Sequence, residues 1–348
     1  MDRRPALFVR LTDDCGVEGW GEVFSNWPVF GGKHRAQIIR ELLAPLVIGK
    51  SFESPGDLAK MLVNATQAIT IQCDEPGPFD QSIAGVEIAA WDCAARRLEM
   101  PLATLLSGKR AAQSCKLYAS GLTADMVDSH VPSLLDRGWT GFKLKVGFGL
   151  TSDVAAIERF RRIAGSDSVL MIDANQRFDV DQAAELASAL RGLDVAWFEE
   201  PISAVAPASQ WAMLAAQSSI PLAAGENVRG HAAFDALMDG GSIRFIQPDL
   251  IKWGGVSAAM AIAERARLSG LSFCPHYLGG GIGLRATAHV VAASSGDWLE
   301  FDVTDNPFRE ALVDADETSG GVFRISEQAG HGAPPDMGRL AKYLIASD

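Results

Sequence analysis

The chain has 348 residues, of which 48% are hydrophobic and 21% are charged, a composition typical of a globular protein with a large core. Its formal net charge of −12 makes nucleic acid and anionic membranes unexpected partners, because both are themselves polyanionic. No apolar run reaches the length of a membrane span, and the first residues, MDRRPALFVRL, do not have the pattern of a signal peptide.

The first third of the sequence predicts a strand hairpin followed by helices. Residues 7–23 read as two strands joined by a turn at residues 13–16. Apolar residues then recur at helical spacing from His34 to about Val63, and again from Phe79 to Leu106. This region is therefore predicted to have mixed α and β structure.

After about residue 112 the pattern changes to short apolar runs that alternate with alanine-rich amphipathic segments. The runs are CKLYAS, FKLKV, VLMIDAN, AWFEEP, PLAAGE, RFIQPD, LSFCPH and WLEFD. Strands that alternate with helices are typical of parallel α/β folds, and eight strands with seven helices predict a parallel barrel.

Charged or polar residues close every one of these runs from the second onward. They are Lys145, Asp173, Asn175, Glu199, Glu200, Glu226, Asp249, His276 and Glu300. In α/β barrels the chemistry takes place at the carboxyl ends of the strands, so we expect these groups to share one mouth.

Three carboxylates, Asp173, Glu199 and Glu226, end the third, fourth and fifth strands. Neighbouring parallel strands lie about 4.8 Å apart, so these side chains are expected to converge. Three unpaired carboxylates would repel one another, and a hard divalent cation would relieve that repulsion. All-oxygen ligation favours Mg²⁺ over zinc. The alternative is that each carboxylate is a helix cap or a salt-bridge partner, but their even spacing favours a metal site.

Asp249 and His276 end the sixth and seventh strands and are therefore predicted to be neighbours. A carboxylate beside an imidazole fixes the tautomer of the ring and stabilises its protonated form. This pair is predicted to act as a general acid or base. The alternative is a structural histidine.

Lys143 and Lys145 lie on the same face of the second run, because successive strand residues point to opposite sides. One interpretation is a half-exposed edge strand with both ammonium groups in water. The other strand ends favour an interpretation in which both lysines point into the mouth, opposite His276. The charge of one lysine would then lower the pKa of the other, as a catalytic base requires, while the carboxylates would raise it.

A divalent metal with a base on either side of one pocket suits abstraction of the proton next to a substrate carboxylate. That proton is weakly acidic, and Mg²⁺ stabilises the enediolate that its removal forms.

The site motifs resemble those of the mandelate racemase subgroup of the enolase superfamily, and the match runs through nearly the whole chain. The motifs are KLK, DAN, EEP, GEN, QPD, PHYLGGGIGL and LEFD. The resemblance implies that Lys145 is one base and that Lys143 contacts the substrate carboxylate. It also implies that Asp173, Glu199 and Glu226 hold Mg²⁺, that His276 with Asp249 is the second acid/base, and that Glu300 hydrogen-bonds the enediolate.

The muconate-lactonizing and dipeptide-epimerase branch fits less well. In that branch the sixth strand usually ends in a catalytic lysine, and alignment on Gly254–Gly255 puts Asp249 at that place. Lys252 lies three residues further on, and we expect it outside the site.

The resemblance implies that an α+β capping domain, residues 1–112, closes over a (β/α)7β barrel, residues 113–325, with a C-terminal tail, residues 326–348, that returns to the cap. Family members usually begin with an extra strand and a substrate-contacting loop, so the cap is expected to be shortened at its start. Within FSNWPVFGG, Trp27 and Phe30 are candidates for lining the pocket, with burial in the core of the cap as the alternative.

The favoured function is Mg²⁺-dependent dehydration of a hydroxy acid, most plausibly a sugar acid, to a 2-keto acid. Polar groups predicted at the mouth would suit a polyhydroxy substrate, namely Lys143, Asn175, Asn227 and Glu300. A racemase or epimerase of a 2-hydroxy acid needs the same catalytic residues. A third alternative is a catalytically inactive ligand-binding barrel. We expect a small carboxylic acid as the substrate and a homo-oligomer as the assembly.

The five cysteines lie apart, mostly in apolar settings and without a CxxC spacing. An odd number in this arrangement favours free, buried thiols in a reducing compartment over disulfides or a zinc site. We therefore expect a cytoplasmic protein.

Overall fold

The computed structural model describes residues 4–345. The chain begins with an antiparallel hairpin of β1 (Leu7–Thr12) and β2 (Glu18–Val23), in which Leu7 lies opposite Val23. Its turn is closed by hydrogen bonds, including one of 3.1 Å from the N–H of Gly16 to the carbonyl of Asp13. The predicted hairpin is confirmed.

Helices follow the hairpin, but they are interrupted where the apolar spacing predicts continuity. The helices are α1 (Gly32–Gln37), α2 (Ala44–Val47), α3 (Pro55–Cys73), α4 (Pro76–Arg97) and α5 (Leu102–Ser107), with a π-helical stretch at Ile38–Leu43. The helical structure predicted from His34 to about Val63 is present but divided, and its last helix begins at Pro55 after Ser54, whose side chain accepts the N–H of Asp57. Among the helices of residues 4–345, none combines the length and apolarity needed to span a lipid bilayer.

Each of the eight predicted apolar runs forms a strand of one curled sheet. The strands are β3 (Ser114–Leu122), β4 (Gly141–Lys145), β5 (Val169–Asp173), β6 (Val195–Glu199), β7 (Leu222–Ala224), β8 (Phe245–Ile246), β9 (Ser272–Phe273) and β10 (Trp298–Asp302). They pair in parallel in the order β10-β3-β4-β5-β6-β7-β8-β9. The N–H of Asp297 donates to the carbonyl of Phe273 at 3.0 Å, which links β10 to β9 and closes the barrel.

A helix follows each of the first seven barrel strands and covers the outside of the sheet. These helices are α6 (Val127–Asp136), α7 (Leu150–Ala164), α8 (Val180–Ala189), α9 (Ala208–Gln217), α10 (His231–Asp239), α11 (Gly255–Leu268) and α12 (Gly281–Ser294). Phe160 of α7, for example, packs edge-on against Phe142 of β4, with ring centroids 5.3 Å apart. The predicted (β/α)7β barrel is confirmed.

The interior of the barrel is filled below the mouth by side chains from β3, β5, β6 and β7 and from the residue after β9. Tyr118, Met171, Trp197, Ala223 and Cys274 form this inner cluster, and all five are buried. The layer is a packed floor on which the polar groups of the strand ends rest.

The segment after β10 contains α13 (Pro307–Glu310), β11 (Val322–Arg324) and α14 (Met337–Leu340). Strand β11 was not predicted and pairs antiparallel with β3. Farther on, the N–H of His331 donates to Asp92 at 2.8 Å and its ring contacts the carbonyl of Trp20 at 2.9 Å. The C-terminal segment therefore lies against the N-terminal hairpin and α4, while the exact domain boundaries stay predictions.

Two buried glutamates of the N-terminal region accept hydrogen bonds from the N-terminal ends of barrel helices, and we call them the interface carboxylates. Glu22 of β2 accepts the N–H groups of Gly280 and Gly283 and lies 3.1 Å from the hydroxyl of Tyr277. Glu87 of α4 accepts the N–H groups of Val256 and Ser257 at 2.8 and 2.9 Å. These bonds dock the cap on the barrel and satisfy N–H groups that α11 and α12 would otherwise leave free.

All five cysteines are free thiols, as predicted. Cys93, Cys115 and Cys274 are buried, whereas Cys15 and Cys73 are exposed, so the prediction of burial is wrong for these two. Both exposed cysteines lie at chain reversals, in the turn of the hairpin and at the end of α3, where side chains face solvent.

Candidate active site

Lys143 and Lys145 point into the barrel mouth, which settles the choice between an edge strand and an interior face. Lys143 is only 1% exposed, and its Nζ lies 2.6 Å from Glu199 Oε1 and 2.9 Å from Glu300 Oε1. In the strand register, Lys145 is opposite Asp173, and Asp173 is opposite Glu199. The edge-strand interpretation is therefore wrong.

Lys145 is held by two groups of the next strand end. Its Nζ lies 2.5 Å from Asp173 Oδ2 and 2.7 Å from Asn175 Oδ1. Burial and the charge of Lys143 lower the pKa of Lys145, but the nearby carboxylates, chiefly Asp173, outweigh them and raise it above its ordinary value. The effect expected from the neighbouring lysine is present, but it does not prevail.

The three carboxylates predicted to bind metal lie on successive strands but have different electrostatic surroundings. Burial would raise the pKa of Asp173, but Lys145 and Lys143 lower it. Burial raises the pKa of Glu199 to about 8, against the opposing effect of Lys143. For Glu226, His276 and Lys252 overcome burial and lower the pKa to about 2. The ionised form is thus favoured at Asp173 and Glu226, whereas burial prevails at Glu199.

These three carboxylates supply the donor chemistry of a Mg²⁺ site, since they are buried, contribute only oxygen atoms and end adjacent strands. Ammonium groups lie among them in this structure. Within residues 4–345, a cluster of three ligand atoms within 4.8 Å of one another is found at Asp13, Asp14 and Cys15 in the exposed hairpin turn. Asp173, Glu199 and Glu226 therefore fit the metal by residue type and placement, and their side chains must come closer together to bind one ion.

Lys252 lies inside the site, contrary to the prediction. Its Nζ is 3.0 Å from Glu226 Oε1 and 2.7 Å from Asn227 Oδ1, and it lies 5.1 Å from the ring centroid of Phe24. The N–H of Lys252 donates to the carbonyl of Asp249 at 3.1 Å, so the chain turns back directly after Asp249. The three-residue spacing of a tight turn was the signal that could have revealed this position.

His276 and Asp249 form the predicted pair, with His276 Nδ1 at 2.7 Å from Asp249 Oδ2. The other ring nitrogen, Nε2, lies 3.6 Å from Glu226 Oε1 and 3.7 Å from Glu300 Oε2. Burial lowers the pKa of His276, but Glu226, Glu300 and Asp249 outweigh it and raise the value to about 9. The imidazole is therefore protonated at neutral pH and suited to donate a proton.

Glu300 connects the two sides of the mouth. One oxygen contacts Lys143, and the other accepts a 3.2 Å hydrogen bond from the hydroxyl of Tyr118 while facing His276. Burial would raise the pKa of Glu300, but Lys143 and His276 lower it. The residue can accept hydrogen bonds as an ionised carboxylate.

The residues predicted to bind substrate differ in exposure and in their hydrogen-bond partners. Asn175 is exposed beside Lys145, whereas the amide of Asn227 is held between Glu200 and Lys252. Trp27 and Phe30 are 57% and 79% exposed, so their alternative interpretation as core residues of the cap is wrong. Nearby, Asn26 Nδ2 donates to the carbonyl of Leu278, which brings this loop beside the segment that follows His276. Contact of Trp27 with substrate stays a prediction.

Two further residues support Glu199 from below. Gln247 Nε2 and Trp197 Nε1 lie 2.6 and 3.3 Å from Glu199 Oε2. Sequence reasoning missed both, although Gln247 lies two residues before Asp249 in the QPD motif and Trp197 lies two residues before Glu199. The period of two that directs strand side chains to one face was the available signal.

Comparison with known proteins agrees with the resemblance. Residues 126–339 match the model described as Enolase C-terminal domain-like, and residues 1–107 match the N-terminal domain of mandelate racemase/muconate lactonizing enzyme. A D-galactarolactone cycloisomerase from Agrobacterium fabrum is 29% identical over 99% of this chain and 93% of its own. An L-talarate/galactarate dehydratase from Salmonella typhimurium is 30% identical over 93% of this chain and 81% of its own.

The fold is shared with solved structures as well. A mandelate racemase/muconate lactonizing enzyme from Bordetella bronchiseptica is 40% identical, with a TM-score of 0.94 over 98% of this chain and 95% of its own. The match extends from the cap to the C-terminal segment and therefore covers every element that forms the mouth. This chain belongs to the mandelate racemase/muconate lactonizing enzyme family of the enolase superfamily.

Proposed function

We propose that this protein removes the proton α to a substrate carboxylate and dehydrates a hydroxy acid, of the sugar-acid class, to a 2-keto acid. The observation that carries the proposal is the placement of two proton-transfer groups on opposite sides of one mouth. Lys145 ends β4 and is bonded to Asp173, whereas His276 follows β9 and is bonded to Asp249. Two strands separate them on one side of the barrel and four on the other.

Asp173, Glu199 and Glu226 would hold Mg²⁺, the ion that members of the superfamily typically bind. Bound there, Mg²⁺ would supply positive charge next to the substrate carboxylate and so favour loss of the α-proton. Lys143, buried between Glu199 and Glu300, is suited to orient the same carboxylate through its ammonium hydrogens.

The side chains divide the elimination between them. Lys145 accepts the α-proton at Nζ from its deprotonated form, which the raised pKa makes the minor form at neutral pH. The electron pair of the broken C–H bond forms the new C=C bond. The β C–O bond breaks, and protonated His276 gives its Nε2 proton to the departing hydroxyl, which leaves as water. The resulting enol becomes the 2-keto acid, and Asp249 holds the imidazole in orientation throughout.

An isomerase is the second candidate, and the cycloisomerase relative favours it, since that protein matches this chain over nearly its whole length. The same two groups suffice for racemisation or epimerisation, in which one base removes the α-proton and the other returns a proton to the opposite face. A catalytically inactive binding barrel is less well supported, because the acid, the base and the metal-binding carboxylates are all present at the mouth. As further parts of the proposal, the substrate is a small carboxylic acid, and the protein is a cytoplasmic homo-oligomer without a nucleic-acid or membrane partner.

The test is incubation of the purified protein in D₂O with Mg²⁺ and a panel of aldonic, aldaric and simple 2-hydroxy acids. Steady release of a 2-keto acid from a polyhydroxy acid is expected, with loss of activity in chelator and recovery with added Mg²⁺. Deuterium-labelled epimer without keto acid from any substrate would instead establish the isomerase. Full activity after chelation and dialysis would refute the metal assignment.

A further inference from the structure

Glu199 is held from two sides by donors of different kinds. From the mouth, the ammonium group of Lys143 contacts Oε1 at 2.6 Å. From the barrel interior, Gln247 Nε2 and Trp197 Nε1 both donate to Oε2, at 2.6 and 3.3 Å. The interior donors are neutral and buried, so they hold the carboxylate without filling the mouth.

The position of Gln247 is fixed by the contacts of its backbone. Its N–H donates to the carbonyl of Ala224 at 3.0 Å, which ties the residue to the neighbouring strand. Gly225 has φ +145°, and a Cβ at that position would lie 2.7 Å from the backbone nitrogen of Gln247. The backbone segments at Gly225 and Gln247 therefore approach each other more closely than a side chain at residue 225 would allow.

The indole of Trp197 is equally constrained. It packs edge-on against Tyr118, with centroids 5.3 Å apart, and at a tilt against Phe245, with centroids 4.8 Å apart. A ring clamped between two aromatic neighbours keeps its N–H direction fixed. Both donors below Glu199 are thus oriented in advance.

The amide oxygen of Gln247 is buried without a hydrogen-bond partner among the described residues. Reversing the amide would place that oxygen against Glu199 Oε2, which would then lose its 2.6 Å donor. The orientation that leaves Oε1 unpaired is therefore the one that serves the carboxylate.

We propose that Gln247, assisted by Trp197, is a positioning residue that holds Oε2 of Glu199 from the barrel interior so that Oε1 faces a divalent metal in the mouth. The inference rests on the metal site of the proposed function. Partners that orient a ligating carboxylate typically change metal affinity by about 10- to 100-fold when they are removed.

The test is Mg²⁺ binding by isothermal titration calorimetry to chelator-treated protein, which requires no substrate. Gln247→Met keeps the volume of the side chain and removes the N–H donor, and we expect the Kd for Mg²⁺ to rise about 10- to 100-fold. Trp197→Phe removes only the 3.3 Å hydrogen bond to Glu199 and should give a smaller rise in the Kd for Mg²⁺. The matched control is Gln81→Met, because Gln81 is a buried glutamine of α4 whose side chain bonds Arg35 instead of a carboxylate.

A second readout separates positioning from mere stability. Turnover by Gln247→Met should recover as Mg²⁺ is raised, because weakened binding is overcome by mass action. A lower melting temperature with an unchanged Mg²⁺ Kd in both variants would overturn the inference and leave the metal site intact. If the wild-type protein binds no Mg²⁺, the metal assignment itself is refuted, and the inference with it. Should Gln247→Met fail to fold, Trp197→Phe decides by the same criterion.

Discussion

The carboxylates of the barrel mouth and the interface carboxylates are similarly buried, but they are satisfied by different kinds of donor. Asp173 and Glu199 contact the ammonium groups of Lys145 and Lys143. Glu22 and Glu87 contact backbone N–H groups. Backbone donors neither carry a charge nor exchange a proton, whereas lysine and histidine do both. The comparison separates buried acids that face charged, proton-exchanging side chains from buried acids that dock on the main chain.

The pKa values follow this division at Asp173 and Glu226 but not at Glu199, where burial prevails over the charge of Lys143. Burial raises the pKa of Glu22 to about 7, because the N–H groups of Gly283 and Gly280 only partly oppose it. Burial also raises the pKa of Glu87. At the mouth, cations overcome burial at Asp173 and Glu226 and lower the pKa of both. A buried acid without a cation is thus pushed towards its neutral form.

The largest expected effect is on catalysis at the mouth. Lys145→Ala and His276→Asn should each reduce turnover by about 10²- to 10⁴-fold, because each removes a proton-transfer group. The melting temperature should change little, since the mouth is not the packed floor of the barrel. Lys60→Ala, on the exposed face of α3, is the matched lysine control and should leave turnover unchanged. Unchanged turnover in either mouth variant would remove that residue from the mechanism.

At the interface, Glu87→Ala should act on stability. The substitution leaves the buried N–H groups of Val256 and Ser257 without an acceptor. Each unsatisfied N–H group costs about 1–3 kcal/mol, so the free energy of unfolding should fall by about 2–6 kcal/mol. Denaturant titration measures this change. Turnover per folded molecule at saturating substrate should stay close to that of the wild type. A variant of normal stability that has lost turnover would erase the distinction between the two sets of carboxylates.

Glu22 should make stability depend on pH. Its pKa is raised on folding from an ordinary 4.5 to about 7, so the folded state binds the proton more tightly than the unfolded chain does. This contribution is fully present below pH 4.5 and is lost as the pH rises through 7, a change of about 3 kcal/mol. Denaturant titrations between pH 4.5 and 8 should show this slope in the wild type and a flatter one in Glu22→Gln. If stability depended on pH equally in the wild type and in Glu22→Gln, the assignment of this pH dependence to Glu22 would be wrong.

Tyr277 opposes the effect of burial on Glu22. Its hydroxyl donates to Glu22 Oε2 at 3.1 Å and also lies 2.6 Å from the carbonyl of Gly280. A hydrogen bond to the ionised carboxylate lowers the pKa of Glu22. Tyr277→Phe should therefore raise the pH at which stability declines.

The smallest effect is expected from Trp91→Phe. The indole N–H of Trp91 donates to Glu87 at 2.8 Å and to Ser257 Oγ at 3.0 Å. Its loss removes one donor while both backbone donors remain, so the free energy of unfolding should fall by about 1 kcal/mol. Denaturant titration of Trp91→Phe and Glu87→Ala side by side measures the ratio of their losses in the free energy of unfolding. A loss as large as that of Glu87→Ala would mean that the indole, not the backbone, holds the carboxylate.

The barrel could be predicted because each of its strands has a simple sequence signature. A short apolar run that ends in a polar residue, such as VLMID before Asn175, specifies both the strand and the end that carries chemistry. The meeting of Lys145, Asp173 and Glu199 then follows from the geometry of parallel pairing. The catalytic roles of these residues stay predictions until they are measured.

What the sequence did not reveal depends on turns and on contacts between distant segments. Lys252 enters the site through one turn after Asp249, and periodicity does not encode that reversal. Glu22 and Glu87 lie on a strand and a helix whose patterns are ordinary, and their partners are backbone groups more than 160 residues away. Because every residue except proline has a backbone N–H, the sequence does not indicate which of them bind a carboxylate.

The docking of Glu87 on the main chain of α11 has a consequence for how the protein tolerates substitution. Because the atoms that bind Glu87 belong to the backbone, the side chain of Val256 can change without loss of the contact, provided that it does not become proline. Gly255 is the exception, since its φ is +61° and a Cβ there would lie 2.2 Å from Glu87 Oε2. The main-chain attachment of cap to barrel at this point thus depends on one acidic residue and one glycine, with the contact of Trp91 and Ser257 beside it.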